Sequence, residues 1–159
     1  MSGVQWNESQ ILTDRKSRFQ ARSCAIFNQN EVIGLLEKLV EENKSVQKAG
    51  HRHMYAWVTA DVTNAAFDKK TNAKKKKGSP KASEGPSGPI VLKNVQQGSN
   101  DCGEAGAGQR LLTLLERSHV ANVLVVVTRW YGGTALGPAR FRHISTTAVE
   151  SLKKGGFLP

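Results

Sequence analysis

The feature that most limits the fold is an unbroken apolar run, Val123-Leu-Val-Val-Val127, inside the segment Val120–Thr128. A strand with one wet face alternates apolar and polar residues, whereas a strand without alternation has both faces covered. Val120–Thr128 is therefore expected in the middle of a sheet. The remaining chain must supply the strands beside it and the layer that covers it.

Two further segments alternate. In Arg18–Phe27 the residues Phe19, Ala21, Ala25 and Phe27 oppose Gln20, Arg22 and Cys24, and in His53–Thr59 the residues Met54, Ala56 and Val58 oppose Tyr55 and Trp57. Both read as strands. Between them Asn28 and Glu31 form an Asn-x-x-Glu capping box, and Phe27 is placed to staple onto Val32. Val32, Leu35, Leu36, Leu39 and Val46 make one helical stripe, Lys44 and Lys48 suit the helix C-terminus, and Gly50 ends it. A second helix is expected from about Asp101 to His119, with Leu111, Leu112, Leu114 and Leu115 on a wide apolar face. Pro138 opens a third, in which Phe141, Ile144, Ala148 and Leu152 face inward before Gly155 stops it. The resulting order defines an α+β two-layer sandwich, with a mixed sheet and helices on one face.

At 159 residues the chain suits one domain, and 38% hydrophobic residues together with 15 glycines give it an ordinary globular apolar content. No apolar window is long enough to cross a membrane, and the first twenty or so residues lack the apolar core of a secretory signal. Cys24 and Cys102 show no CxxC spacing, so no disulfide framework or structural zinc site is legible, and a reducing cytoplasmic location is expected. The net charge of +10 favours anionic partners such as RNA or ribosomes. Half of that excess lies between Asp68 and Glu84, where seven lysines, including Lys74, Lys75, Lys76 and Lys77, face two acids. With its prolines, glycines and serines, the stretch from about residue 63 to 88 reads as a flexible basic loop, followed by a short edge strand at Ile90–Val95. The four consecutive lysines are the candidate nucleic-acid contacts.

Several constellations carry potential chemistry. Gly132, Gly133 and Gly137 lie in a turn between strand and helix, a place where backbone N–H groups can bind an anion, although their spacing matches neither a dinucleotide fingerprint nor a P-loop. Turn glycines ordinarily serve the backbone. Arg129, Trp130, Tyr131 and Arg140 around them have the composition of a binding hot spot. Asp101 and Glu104 sit where a loop enters a helix, so capping is their ordinary role. Cys102 shares that position, where a thiolate is favoured, but no neighbouring residue supplies a base; His51, His53, His119 and His143 could reach it only through folding. His51 and His53 are two apart on a strand and lack a third metal ligand. No complete catalytic, cofactor or metal set is legible, and a non-enzymatic binding role is expected. Its surface would combine Asp14, Lys16, Ser17, Phe19, His53, Tyr55, Asp101, Glu104 and Arg140 with Arg129, Trp130, Tyr131 and the three turn glycines.

Asp14-Arg-Lys-Ser-Arg-Phe-Gln-Ala21, His53-Met-Tyr-Ala-Trp57, Gly103-Glu104 and the long block from Gly108 through Val126-Val-Thr-Arg-Trp-Tyr-Gly-Gly-Thr-Ala-Leu-Gly137 resemble the IMPACT family. The resemblance covers nearly the whole chain outside the lysine-rich loop. It implies a fold similar to the second domain of the fifth small-subunit ribosomal protein. It also implies a translational role, because members with an additional RWD domain compete for the ribosome-associated coactivator of the general-control kinase during amino-acid starvation. Actin is a further partner implied by the family, and nucleic-acid binding is implied by the fold alone. An RWD domain is not expected in a chain of this length. Asp101-Cys102-Gly103-Glu104 stands where members often carry Asp-Asp-Gly-Glu, and Arg52 where they often carry histidine, so an acid or metal site formed there in relatives would be altered in this chain.

Overall fold

The structure is a computed structural model that describes residues 5–64 and 90–159. Its strands are β1 (Asn7–Glu8), β2 (Leu12–Asp14), β3 (Ser17–Ala25), β4 (His51–Asn64), β5 (Ile90–Asn100) and β6 (Val123–Trp130). The helices are α1 (Glu31–Glu42), α2 (Lys44–Gln47), α3 (Ala107–Arg117) and α4 (Ala139–Lys154). The strands form one sheet in the order β1-β3-β6-β4-β5, with β2 also paired to β3. The α+β class is as expected, and β6 occupies the interior of the sheet with every residue buried. Within it β1, β2 and β6 pair β3 antiparallel, and β4 pairs β6 antiparallel.

The chain forms two compact units, Met1–Thr59 with Gln96–Pro159, and Ala60–Val95. In the smaller unit the Asn94 side-chain amide donates to Asp61 at 2.6 Å. In the larger unit each face of β6 has its own helical cover. Val123, Val125 and Val127 pack with Phe19, Ala21, Met54 and Ala56 beneath Leu111 and Leu115 of α3 and Ile144, Ala148 and Leu152 of α4. Leu124 and Val126 pack with Cys24 and Trp57 beneath Val32, Leu36 and Leu39 of α1. Thus α3 and α4 supply the expected helical layer on one face, and α1 adds a layer on the other. This arrangement explains why β6 lacks alternation.

The expected first helix is divided. Asn43 is extended, with φ −128° and ψ 100°, and its side-chain amide donates to the Leu39 carbonyl at 2.9 Å. After the break Val46 packs with Ala49 and Trp130 instead of continuing the α1 stripe. At the start of α1, Glu31 accepts the backbone N–H of Asn28 at 3.0 Å, as the capping box requires. The staple is missing, because Phe27 is 74% exposed and Ile26 takes the buried position. Both β4 and β5 run beyond their expected limits, so Thr63 and Asn64 lie in a strand. The rest of the expected basic loop, including Lys74–Lys77, lies outside the described residues.

Candidate functional site

The turn that leads into α3 places a carboxylate inside the protein. Asp101 accepts the N–H groups of Gly106 and Gly108 at 3.0 and 2.7 Å, satisfying donors at the start of α3. Within this turn Cys102, Gly103 and Gly106 have φ values of 47°, 84° and 87°. Such values are favourable for glycine and unfavourable for cysteine. The backbone thereby points Glu104, only 5% exposed, at the end of β6.

Three side chains from three elements meet Glu104. Arg129 from β6 donates Nη1–H to Oε2 at 2.8 Å, and Arg140 from α4 donates Nε–H to the same oxygen at 2.7 Å. His51 from β4 presents Nε2 to Oε1 at 3.1 Å, while its Nδ1 lies 2.9 Å from the Cys102 carbonyl. Arg129 is itself 3% exposed and lies between two rings, with its guanidinium carbon 5.2 Å from the centroids of Phe19 and Tyr131. A buried ion pair is costly to assemble, and it becomes strongly destabilising when one partner is removed. This cluster therefore fixes β4, β6, α4 and the α3 turn relative to one another.

Above the cluster lies a shallow depression of about 300 Å³, lined by residues that include His51, Glu104, Tyr131, Leu136 and Arg140. Tyr131 is 55% exposed at its edge. The glycine turn is held by Ser17, whose buried hydroxyl accepts the Gly132 N–H at 3.0 Å. That N–H is therefore already committed. A Cβ at position 132 would lie 2.3 Å from the Lys16 backbone carbon, so glycine permits the approach of the two segments. Gly133 and Gly137 have φ values of 93° and 61° and serve the turn itself.

The surface expected from the sequence is thus divided by burial and position. Glu104, Arg129, Tyr131 and Arg140 are together, and Lys16 and Gly132 adjoin them. Phe19 and Ser17 have no exposure and support the site from below. Trp130 is also buried, with its indole N–H donating to the Ser45 carbonyl at 2.7 Å. Asp14 is 2.7 Å from His143 Nε2, and this hydrogen bond, helped by Arg15, holds its carboxyl below the usual range. His53 and Tyr55 line a different, open cleft of about 540 Å³ together with residues of α1.

The sequence paired His51 and His53 on one strand face, but β4 is irregular between His51 and Met54. His51 turns to Glu104, whereas the His53 ring interacts with the Cys102 thiol. This interaction lowers the thiol from its usual range and raises the imidazole. Cys24, by contrast, is pushed up to about 12 by burial. Among the described residues no group of three potential ligands could hold a metal ion. No described helix is long and apolar enough to cross a membrane.

The fold and cluster define a class of small α+β domain in which a buried carboxylate organises an exposed polar and aromatic rim. A model of the Impact N-terminal domain matches residues 15–152, and the chain belongs to the IMPACT family. An IMPACT family member of Saccharomyces cerevisiae is 57% identical over 159 residues, covering 97% of this chain and 94% of the relative. Protein IMPACT homolog from the same yeast is 33% identical over 152 residues, covering 96% of this chain but 47% of the relative. The chain therefore spans nearly all of the first relative and under half of the second. Among solved structures, the two-domain translational regulator Yih1 shares 30% identity at a TM-score of 0.53, over 94% of this chain and 46% of that one.

Proposed function

We propose that this chain is a non-enzymatic, cytoplasmic regulator of translation that acts through protein contacts at the rim of the Glu104 cluster. The observation that carries the reading is the pairing of one buried carboxylate with Arg129, Arg140 and His51, which holds Tyr131 and Arg140 at an accessible edge. A rigid aromatic and guanidinium rim is the composition of an interface anchor. The likeness to a translational regulator supports the process. The finer partner is the ribosome-associated coactivator of the general-control kinase.

Affinity capture from the protein's own cell extract, with and without nuclease, tests the reading. The control is Tyr131→Ala alone, because Arg129 and Arg140 both hold the buried Glu104 carboxylate and their removal would confound binding with folding. Recovery of the coactivator with wild type, resistant to nuclease and lost with the control, is the expected result. A capture profile without translation components, together with unchanged initiation-factor phosphorylation in starved cells lacking the protein, would overturn it.

A second reading, RNA or ribosome binding, is favoured by an open cleft of about 570 Å³ whose lining includes Arg110, Arg117, Gln109, Thr113 and Ser145 and no carboxylate. Binding through several phosphates weakens by orders of magnitude between about 50 and 200 mM salt. A flat response over that range would exclude phosphate contacts as the main source of affinity.

A further inference from the structure

The cleft between α1 and β4 lies on the other face of the sheet from the Glu104 cluster and has a chemistry of its own. Alternation along β6 sends Arg129 to the α3 and α4 side with Val127, whereas α1 covers the side of Leu124 and Val126. Ile33, Glu37, Val40 and Glu41 follow one another at helical spacing along α1, beside its buried stripe of Val32, Leu36 and Leu39. With Leu36 and with Tyr55 of β4 they line an opening of about 540 Å³, at which Ile33 is 58% exposed. A concave, largely apolar lining edged by a few charged groups is the form of a binding groove.

The charges on α1 work against the helix that carries them. Between Glu31 and Glu42 four glutamates stand against Lys38, although the whole chain carries a net charge of +10. Glu37 and Glu41 are four residues apart, a spacing at which like charges repel. Glu41 and Glu42 also occupy the last turn, which holds no basic residue, beside the negative end of the helix dipole. Glu37 and Glu41 are exposed, and among the described residues neither carboxylate has an ion-pair partner. Arg52, which lines the cleft from β4, instead donates Nη2–H to the Gln47 carbonyl at 2.9 Å. Cations brought by another molecule would relieve both the repulsion and the mismatch with the dipole.

We propose that this cleft is a docking site, separate from the Glu104 rim, for a basic amphipathic segment of a partner protein. The segment's apolar side chains enter over Ile33, Leu36, Val40 and Tyr55. Two of its Lys or Arg side chains meet Glu37 and Glu41, whose own spacing sets theirs at about 5–6 Å. From Ile33 to Glu41 the stripe runs about 12 Å, the length of two turns of a helical segment laid in a groove. Charge selects the occupant: this face repels the polyanions that a chain of +10 otherwise attracts, and it steers a basic partner here. The site goes beyond the role proposed for the rim and does not depend on it.

The probe is a fluorescein-labelled peptide of about 12 residues, with leucines at i, i+3, i+4 and i+7 and lysines or arginines beside them. Anisotropy titrations on the full chain compare it with a scrambled peptide of the same composition and with a version carrying glutamate at every basic position. A Kd below about 1 mM is expected for the first alone. Glu37→Gln combined with Glu41→Gln should weaken binding about tenfold, and Ile33→Ala about fivefold. Thermal melts should show both variants as stable as wild type, because all three side chains are exposed. Without any variant, the peptide should slow deuterium exchange in α1 and leave Tyr131–Gly137 unchanged. Absence of binding, equal binding of the scrambled peptide, or an affinity unmoved by the α1 substitutions would overturn the site. Loss of binding in Tyr131→Ala would do the same, by placing the peptide on the Glu104 rim. Two further results would assign the cleft another occupant and overturn the proposal equally. One is a wild-type dimer in sedimentation that the α1 variants dissociate; the other is tighter peptide binding once Lys74, Lys75, Lys76 and Lys77 are replaced by serine.

Discussion

Glu104 is one carboxylate shared among two guanidiniums and an imidazole, so its removal leaves more charge stranded than it takes away. Glu104→Gln is expected to cost about 3–5 kcal/mol, because Arg129 would remain buried without its counter-ion. Tyr131→Ala, at an exposed position, should stay within about 0.5 kcal/mol; urea denaturation of both variants measures the contrast. Asp14 behaves differently because it lies at the surface. A carboxyl held below its ordinary value of 3.8 adds stability above that pH and loses it as pH falls through the lower folded value. His143→Ala should therefore raise the Asp14 midpoint towards 3.8, as followed by NMR, and weaken the acid sensitivity of folding between the two values. The residue types at the Glu104 cluster were legible, since acid, arginine and aromatic residues flank glycine turns in the sequence. Which of them are buried was not. Arg129 sits next to the β6 apolar run, and only the β3 and β4 pairings reveal that its side chain enters the interior. His51 was missed as a partner of Glu104 because that contact spans separate elements.

Elements show where local sequence signals fail. The hairpin joining β2 and β3 turns at Arg15 and Lys16, with φ values of 47° and 71°. Two positive φ values are the mark of a type I′ turn, ordinarily announced by Asn-Gly. Arg-Lys gives no such signal, and β2 was absent from the sequence reading. The break at Asn43 was hidden for a related reason: Val46 fits the helical period while serving a different cluster around Trp130. Glycines separate these packing demands experimentally. Gly34 lies within α1 with nothing near its missing Cβ, so Gly34→Ala should stabilise by about 1 kcal/mol. Gly132→Ala must push apart β6's exit and the β2–β3 turn, at a cost of about 1–3 kcal/mol. Thermal melts of the two variants should move in opposite directions.

Across the larger unit, the apolar run of β6 foretold burial on both faces, but not which helix would cover each. Alternating side chains settle that question: odd positions lie beneath α3 and α4, and even positions beneath α1. Leu124→Ala and Ile144→Ala should each cost about 2–5 kcal/mol, although they belong to opposite cores. Their effects should add nearly completely, since separate clusters share few partners. Chemical denaturation of the double variant checks this; a surface-like cost at Leu124 would refute the α1 layer.

Enclosure of β6 also sets a timescale. Its amides lie between β3 and β4 and beneath helices on both sides, so most of them should exchange with deuterium only when the larger unit opens globally. The next residues, Tyr131 to Gly137, leave the sheet, and apart from Gly132, whose N–H is held by Ser17, their amides lie outside that enclosure. A bound partner should therefore slow exchange in this short turn while leaving β6 unchanged. Slow and fast clocks would sit side by side along one stretch of chain, and only the fast one would register docking.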